Sequence, residues 1–226
     1  MERFTGVNAA VLTPLTADLT PDDALMAEYS QWLLNNGCDG LAILGTTGEA
    51  TSFSLKERIR IIENMVEAGI PASTMMPGTG SCSLTDAVEL TRVAVNAGCG
   101  GVLMLPPFYY KNPSDAGLFR FFSEVIQRVG DARLQIYLYH FPQMSSTPVS
   151  HDLIEMLLKE YPETIAGMKD SSGVLDNMVG AAQKFPGFHV LSGAEDCFLP
   201  LLEAGVGAVR GVIQNYPLSS ALKQLI

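Results

Sequence analysis

The sequence predicts an α/β protein folded as a closed (β/α)8 TIM barrel, one domain over residues 1–226. Three observations carry this: eight short apolar runs recur along the chain, each is followed by a segment of helical pattern, and no long polar linker or low-complexity stretch interrupts them. Strands that alternate with helices pair in parallel, because a parallel partner is reached only through a crossover. Eight of them favour a closed ring over an open doubly wound sheet, which is the competing architecture.

The expected strands are residues 7–12, 40–44, 72–76, 101–105, 134–139, 165–169, 189–191 and 208–213. The first helix is expected to open on Thr20, with Pro21 in its first turn, to line one face with Leu25, Tyr29, Trp32 and Leu33, and to stop at Gly37. Ser54 and Glu57 form a capping-box pattern ahead of Ile59, Ile62 and Val66, with Gly69 as the stop. Ser83, Ser114 and Ser150 open three more helices in the same way, the first two ended by Gly98 and Gly130. An eighth helix has at most Ser219 to Ile226.

With 24 acidic against 14 basic residues the net charge is −10, and no cluster of Lys and Arg appears. This argues against a nucleic acid or an acidic membrane as partner. Cys38, Cys82, Cys99 and Cys197 are scattered without a C-x-x-C pair, so they read as reduced, packed thiols rather than zinc ligands or disulfides. The N-terminal apolar run is short and contains Pro14, unlike a signal peptide or a membrane span, and a soluble cytoplasmic protein is the expectation.

Candidate chemistry gathers at strand ends, where barrels of this kind place their sites. The second strand runs into Gly45-Thr46-Thr47-Gly48-Glu49, which is either a nest for a carboxylate or an ordinary tight turn. Tyr139 ends the fifth strand on the same side as Tyr137; it can relay protons or simply pack as an aromatic with a wet tip. Lys169 ends the sixth strand, and alternation groups it with Gly167 and Ile165, Gly167 leaving room beside it. An inward lysine loses hydration, which favours the neutral amine that attacks carbonyls; an outward one would bend to solvent beside Asp170. His140 has no second histidine or carboxylate at a ligand spacing, so a metal site is not expected.

Five segments taken together resemble the dihydrodipicolinate synthase / N-acetylneuraminate lyase family of pyruvate-dependent class I aldolases. They are Gly45-Thr46-Thr47-Gly48-Glu49, Gly78-Thr79-Gly80-Ser81, Pro107-Phe108-Tyr109-Tyr110 with Pro113, Tyr139-His140-Phe141-Pro142, and Gly167-Met168-Lys169-Asp170-Ser171-Ser172-Gly173. The resemblance implies that Lys169 forms an imine with pyruvate or another 2-keto acid and that no cofactor is needed. It implies that Gly45, Thr46 and Thr47 hold the substrate carboxylate, that Ser171 and Gly193 border the substrate, and that Tyr139 shuttles protons with Thr46. Tyr110 matches the tyrosine that reaches a neighbouring subunit's site, so a homo-oligomer, tetramer or dimer, is implied where the family's C-terminal part is present.

The sequence departs from the family pattern at several places. Met144 stands where the synthases proper carry an arginine for the second substrate's carboxylate. Glu195 and Asp196 fall where sialate lyases bind sugar hydroxyls, although acids also suit the start of a helix. Arg210 lies in the last strand, where a small or apolar residue is usual, and either replaces the missing arginine or points outward. The family's C-terminal helices are absent, so the chain reads as truncated. The resulting expectation is a lyase acting on a 2-keto-3-deoxy sugar acid or related 2-keto acid. Dihydrodipicolinate synthase proper and a non-catalytic keto-acid-binding relative are the alternatives, and a metal-dependent aldolase is disfavoured for want of clustered ligands.

Overall fold

The structure is a computed structural model that describes residues 4–204 and the strand Arg210–Ile213. Its strands are β1 (Val7–Ala10), β2 (Gly40–Ala42), β3 (Val102–Met104), β4 (Ile136–His140), β5 (Ile165–Asp170), β6 (His189–Ser192) and β7 (Arg210–Ile213). The helices are α1 (Asp23–Asn35), α2 (Leu55–Glu67), α3 (Leu84–Asn96), α4 (Asp115–Val129), α5 (Pro142–Ser145), α6 (His151–Glu160), α7 (Leu175–Lys184) and α8 (Phe198–Glu203). The strands pair in parallel in the order β2-β1-β7-β6-β5-β4-β3. The eighth helix expected from Ser219 and the start of the last strand at 208–209 lie outside the described residues.

The ring closes between β2 and β3 through residues 75–79. The Met76 and Gly78 amides donate to the Leu41 and Ile43 carbonyls at 2.9 and 2.8 Å. On the other side the Thr79 amide donates to Leu103 O, and the Leu103 amide to Pro77 O, both at 2.9 Å. The strand expected at 72–76 is therefore displaced. Ala72–Thr74 form a 3-10 turn after Pro71, and the extended run begins only at Met75. Pro77 has no N–H for a ladder, so this position never becomes a regular strand.

Two apolar layers follow from side-chain alternation. Ile136, Leu138 and Met168 face out among the helices, in a core with Ile61, Phe122, Leu153 and Leu157. Tyr137, Tyr139, Ala42, Met76, Leu103 and Leu191 face into the barrel. Phe4 closes its N-terminal end: its amide donates to the Tyr137 hydroxyl at 2.8 Å, and the two rings meet edge to face.

The serine caps form as the sequence predicts. Ser54 and Glu57 make a complete capping box, and Ser83, Ser114 and Ser150 each accept an amide of the first turn. The first helix differs: Asp22 caps it by accepting from Leu25 N, while the Thr20 hydroxyl is held by Thr16 in the preceding turn. The buried face is consequently Met26, Ser30 and Leu33, leaving Leu25 and Trp32 at the surface.

The grouping of Ile165 with Lys169 also needs correction. Ile136 pairs with Ile165, but Tyr137 pairs with Gly167, so Ala166 is an extra residue in β5. This bulge resets the alternation: Ala166 packs inside the barrel, while Ile165 joins Met168 outside. Gly167 does not make room for the lysine. A Cβ there would stand 2.1 Å from the His189 carbonyl oxygen, so its role is the close approach of β5 to β6.

Candidate active site

Beyond the bulge, Lys169 points into the barrel and is only 3% exposed. Its ammonium lies 4.6 Å from the centroid of the Tyr139 ring, within cation–π range, and donates to the Tyr139 hydroxyl at 3.4 Å. That hydroxyl shares a second hydrogen bond, 3.2 Å, with Thr46 Oγ1. One chain of polar atoms therefore runs from the end of β5 through β4 to the turn after β2.

Backbone geometry holds that turn in place. Leu44 and Glu49, at its two ends, both take left-handed conformations (φ 53° and 52°), unfavourable for residues with side chains. The Ala50 amide donates to Gly45 O at 3.2 Å and the Glu49 amide to Thr46 O at 3.1 Å. Thr13, just beyond β1, donates its hydroxyl to Gly48 O at 2.7 Å. Thr46 is exposed and Thr47 half-buried, on a turn whose Gly45 has open space around its Cα.

Gly193 supplies the room beside the lysine. Its amide donates to Asp170 O at 2.7 Å, and a Cβ there would sit 2.1 Å from Ser171 Oγ and 3.0 Å from Lys169 Cε. Gly193 and Ser171 thus both border the lysine. Asp170, next in the chain, faces the other way and is fully buried. It accepts from the Ser172 amide at 2.8 Å and from the Asn177 side chain at 2.6 Å. It offers Lys169 no route to solvent. On the same outer face, burial holds His140 below its ordinary value, with Asp170 opposing that shift, while its Nδ1 accepts the Val149 amide at 3.0 Å.

A cavity of about 260 Å3 opens beside Thr46 and Tyr139. Its wall includes Leu44, Leu103, Leu105, Phe108 and Met144, with Ser145, Arg58 and Glu49 among the polar neighbours. Arg58 is buried on α2. Its Nη2 donates to Gly78 O and Gly80 O at 2.8 and 3.2 Å, its Nε has no acceptor among the described residues, and burial brings its pKa down to about 10. Arg58 escaped the sequence reading, and Phe108 entered it only as part of the segment Pro107-Phe108-Tyr109-Tyr110. Arg58 falls on the buried period of Ile61, Ile62 and Met65, a signal that could have found it.

The other expected residues stand apart from this chain of contacts. Glu195 and Asp196 lie in the 3-10 turn Glu195–Cys197 and do not line the cavity. Tyr110 is 83% exposed and packs edge to face on Tyr109. Arg210 begins β7, paired with Leu191; its side chain is outside the described residues. Among the described residues, no three His, Cys, Asp or Glu converge as metal ligands, and no helix is long and apolar enough to cross a membrane.

Residues 3–226 match the dihydrodipicolinate synthetase family. An uncharacterized DapA-like lyase from Chloroflexus aurantiacus is 33% identical over 215 residues, 94% of this chain and 71% of that protein. Among solved structures, a dihydrodipicolinate synthase from Agrobacterium tumefaciens superposes with a TM-score of 0.89 at 31% identity, over 99% of this chain and 76% of that one. A prophage protein of the dihydrodipicolinic acid synthase family from E. coli K12, in complex with pyruvate, gives 0.82 at 29% identity, over 92% and 69%.

Proposed function

The chain belongs to the dihydrodipicolinate synthetase family, and from that premise we propose that it is a class I lyase joining pyruvate to an aldehyde, or reversing that step, through an imine on Lys169. The observation that carries the reading is the contact chain Lys169–Tyr139–Thr46 at the C-terminal mouth of the barrel. The Lys169 amine attacks the keto carbon, and the keto oxygen leaves as water after two proton transfers. Tyr139, in hydrogen-bond contact with the amine, is placed to carry those protons. The imine then draws electrons from the adjacent carbon. Loss of a proton there forms an enamine that attacks an aldehyde, and the reverse sequence breaks the same bond.

In this reading Gly45, Thr46 and Thr47 bind the 2-keto acid carboxylate, and Ser171 and Gly193 flank the imine. The covalent intermediate replaces any cofactor. The partner is a small 2-keto acid in the cytoplasm, and the protein works as a homo-oligomer to which Tyr110 contributes from a neighbouring subunit. Synthesis of dihydrodipicolinate is the second reading, favoured by the 31% identity to a synthase of that name. Met144 at the cavity wall opposes it, because methionine cannot imitate a bidentate arginine–carboxylate contact.

The test is borohydride reduction in the presence of pyruvate, followed by peptide mapping. A reduced pyruvyl group is expected on the Lys169 peptide and is expected to be lost in Lys169→Arg. Its persistence in that variant would refute the role of Lys169. A folded protein that binds pyruvate without forming any adduct would instead be a binding relative.

A further inference from the structure

We infer that the aldehyde partner carries an apolar body, alkyl or aryl, rather than a second carboxylate or a row of hydroxyls. The inference rests on the imine chemistry proposed for Lys169 and Tyr139, and it concerns the space beside Tyr139 and Thr46. That space is a cavity of about 260 Å3 whose wall includes Leu44, Leu103, Leu105, Phe108 and Met144. An apolar cavity of roughly 150 Å3 already accepts benzene, so a single ring with a short chain fits here.

Three of the polar side chains around the cavity, Ser145, Arg58 and Thr46, are engaged in other bonds. Ser145 Oγ lies 3.0 Å from both the Phe141 and Thr147 carbonyl oxygens and accepts the Thr147 amide at 3.1 Å. Arg58 Nη2 is held by Gly78 O and Gly80 O, and its Nε is enclosed without an acceptor among the described residues. Thr46 is bonded to Tyr139, where the reaction itself takes place. Thr51, Ser52 and Glu49 are exposed, on the turn beside α2. A polyhydroxylated chain would therefore give up water for few partners, while each buried methylene is worth about fourfold in affinity. A stranded hydroxyl costs roughly tenfold. Glu195 and Asp196, the groups suited to sugar hydroxyls, are not part of this wall.

The experiment compares kcat/KM of the full chain with pyruvate and four aldehydes: benzaldehyde, hexanal, glyceraldehyde and aspartate semialdehyde. Borohydride trapping of pyruvate alone runs in parallel. The expected result is a preference of tenfold or more for benzaldehyde or hexanal over the other two. Met144→Arg should reduce that preference about tenfold while the pyruvyl adduct still forms. The wild-type ranking stands as a test even if the variant fails to fold. Glyceraldehyde or aspartate semialdehyde in first place overturns the inference, as does an adduct with no turnover of either apolar aldehyde; both leave the Lys169 reading intact. Absence of the adduct overturns that reading, and this inference with it.

Discussion

Lys169 and Asp170 are adjacent on one strand, are equally buried, and meet opposite environments. Lys169 faces the inside of the barrel, where its one hydrogen bond among the described residues is a long 3.4 Å contact to Tyr139. Asp170 faces the helices, where two donors at 2.8 and 2.6 Å hold its carboxylate. Full satisfaction makes a buried group structural; a loosely held one beside a glycine is the better candidate to meet a substrate. The outer face of this strand end builds the fold, and the inner face is the one proposed to react.

The sharpest way to break this comparison is on the inner face. Tyr139→Phe removes the hydroxyl that joins Lys169 to Thr46 and should lower kcat by about 10²–10⁴-fold, with the thermal midpoint little changed. Near-normal turnover would take Tyr139 out of the proton path. On the outer face, Asp170→Ala strands the Ser172 amide and the Asn177 side chain, at about 1–3 kcal/mol each. Denaturant unfolding should show that loss, while the surviving folded fraction still forms the pyruvyl adduct. Adduct loss without loss of stability would mean the two faces are not separate.

Two glycines sharpen the contrast further. Gly193→Ala presses on movable side-chain atoms, Ser171 Oγ and Lys169 Cε, and should slow adduct formation with little change in stability. Gly167→Ala meets the His189 backbone and should do the reverse. Equal effects on both readouts would collapse the distinction. The smallest expected effect is on pH. His140 is held below its ordinary value of 6.5 by burial, and its Nδ1 must stay unprotonated to accept the Val149 amide. Its contribution to stability is thus complete above pH 6.5 and declines as the pH falls through its lowered value. Melting curves from pH 7.5 down to 5 should show this decline, flattened in His140→Gln.

What the sequence made legible depended on how local the cause was. Ser54, Ser83, Ser114 and Ser150 could be read as caps because a cap is settled within four residues. Thr20 misled because Thr16 engages its hydroxyl in a turn, leaving Asp22 to cap. Tyr139 and Lys169 were found at strand ends, yet the space beside Lys169 was credited to Gly167. Only the pairing of three strands reveals the extra residue at Ala166 and the opening at Gly193. The run 72–76 looked like a strand by composition, and Pro71 and Pro77 decided otherwise. Much of the cavity wall stood in the segments already singled out, with Gly45, Thr46, Gly78, Gly80, Phe108, Tyr139 and Met144, but that Leu44, Leu103, Leu105 and Arg58 join them follows only from the fold.

The segment 75–79 acts as the clasp of a ring. Proline interrupts its ladder at position 77, and Arg58 pins it from α2 through the Gly78 and Gly80 carbonyls. Local opening starts where the fewest bonds must break, so amide exchange at Gly78 and Thr79 should run ahead of exchange in β4 and β5. Gly78 and Gly80 also form part of the cavity wall. A ligand packed on this wall should steady the clasp, and slower exchange at Gly78 and Thr79 would report its binding with no turnover at all.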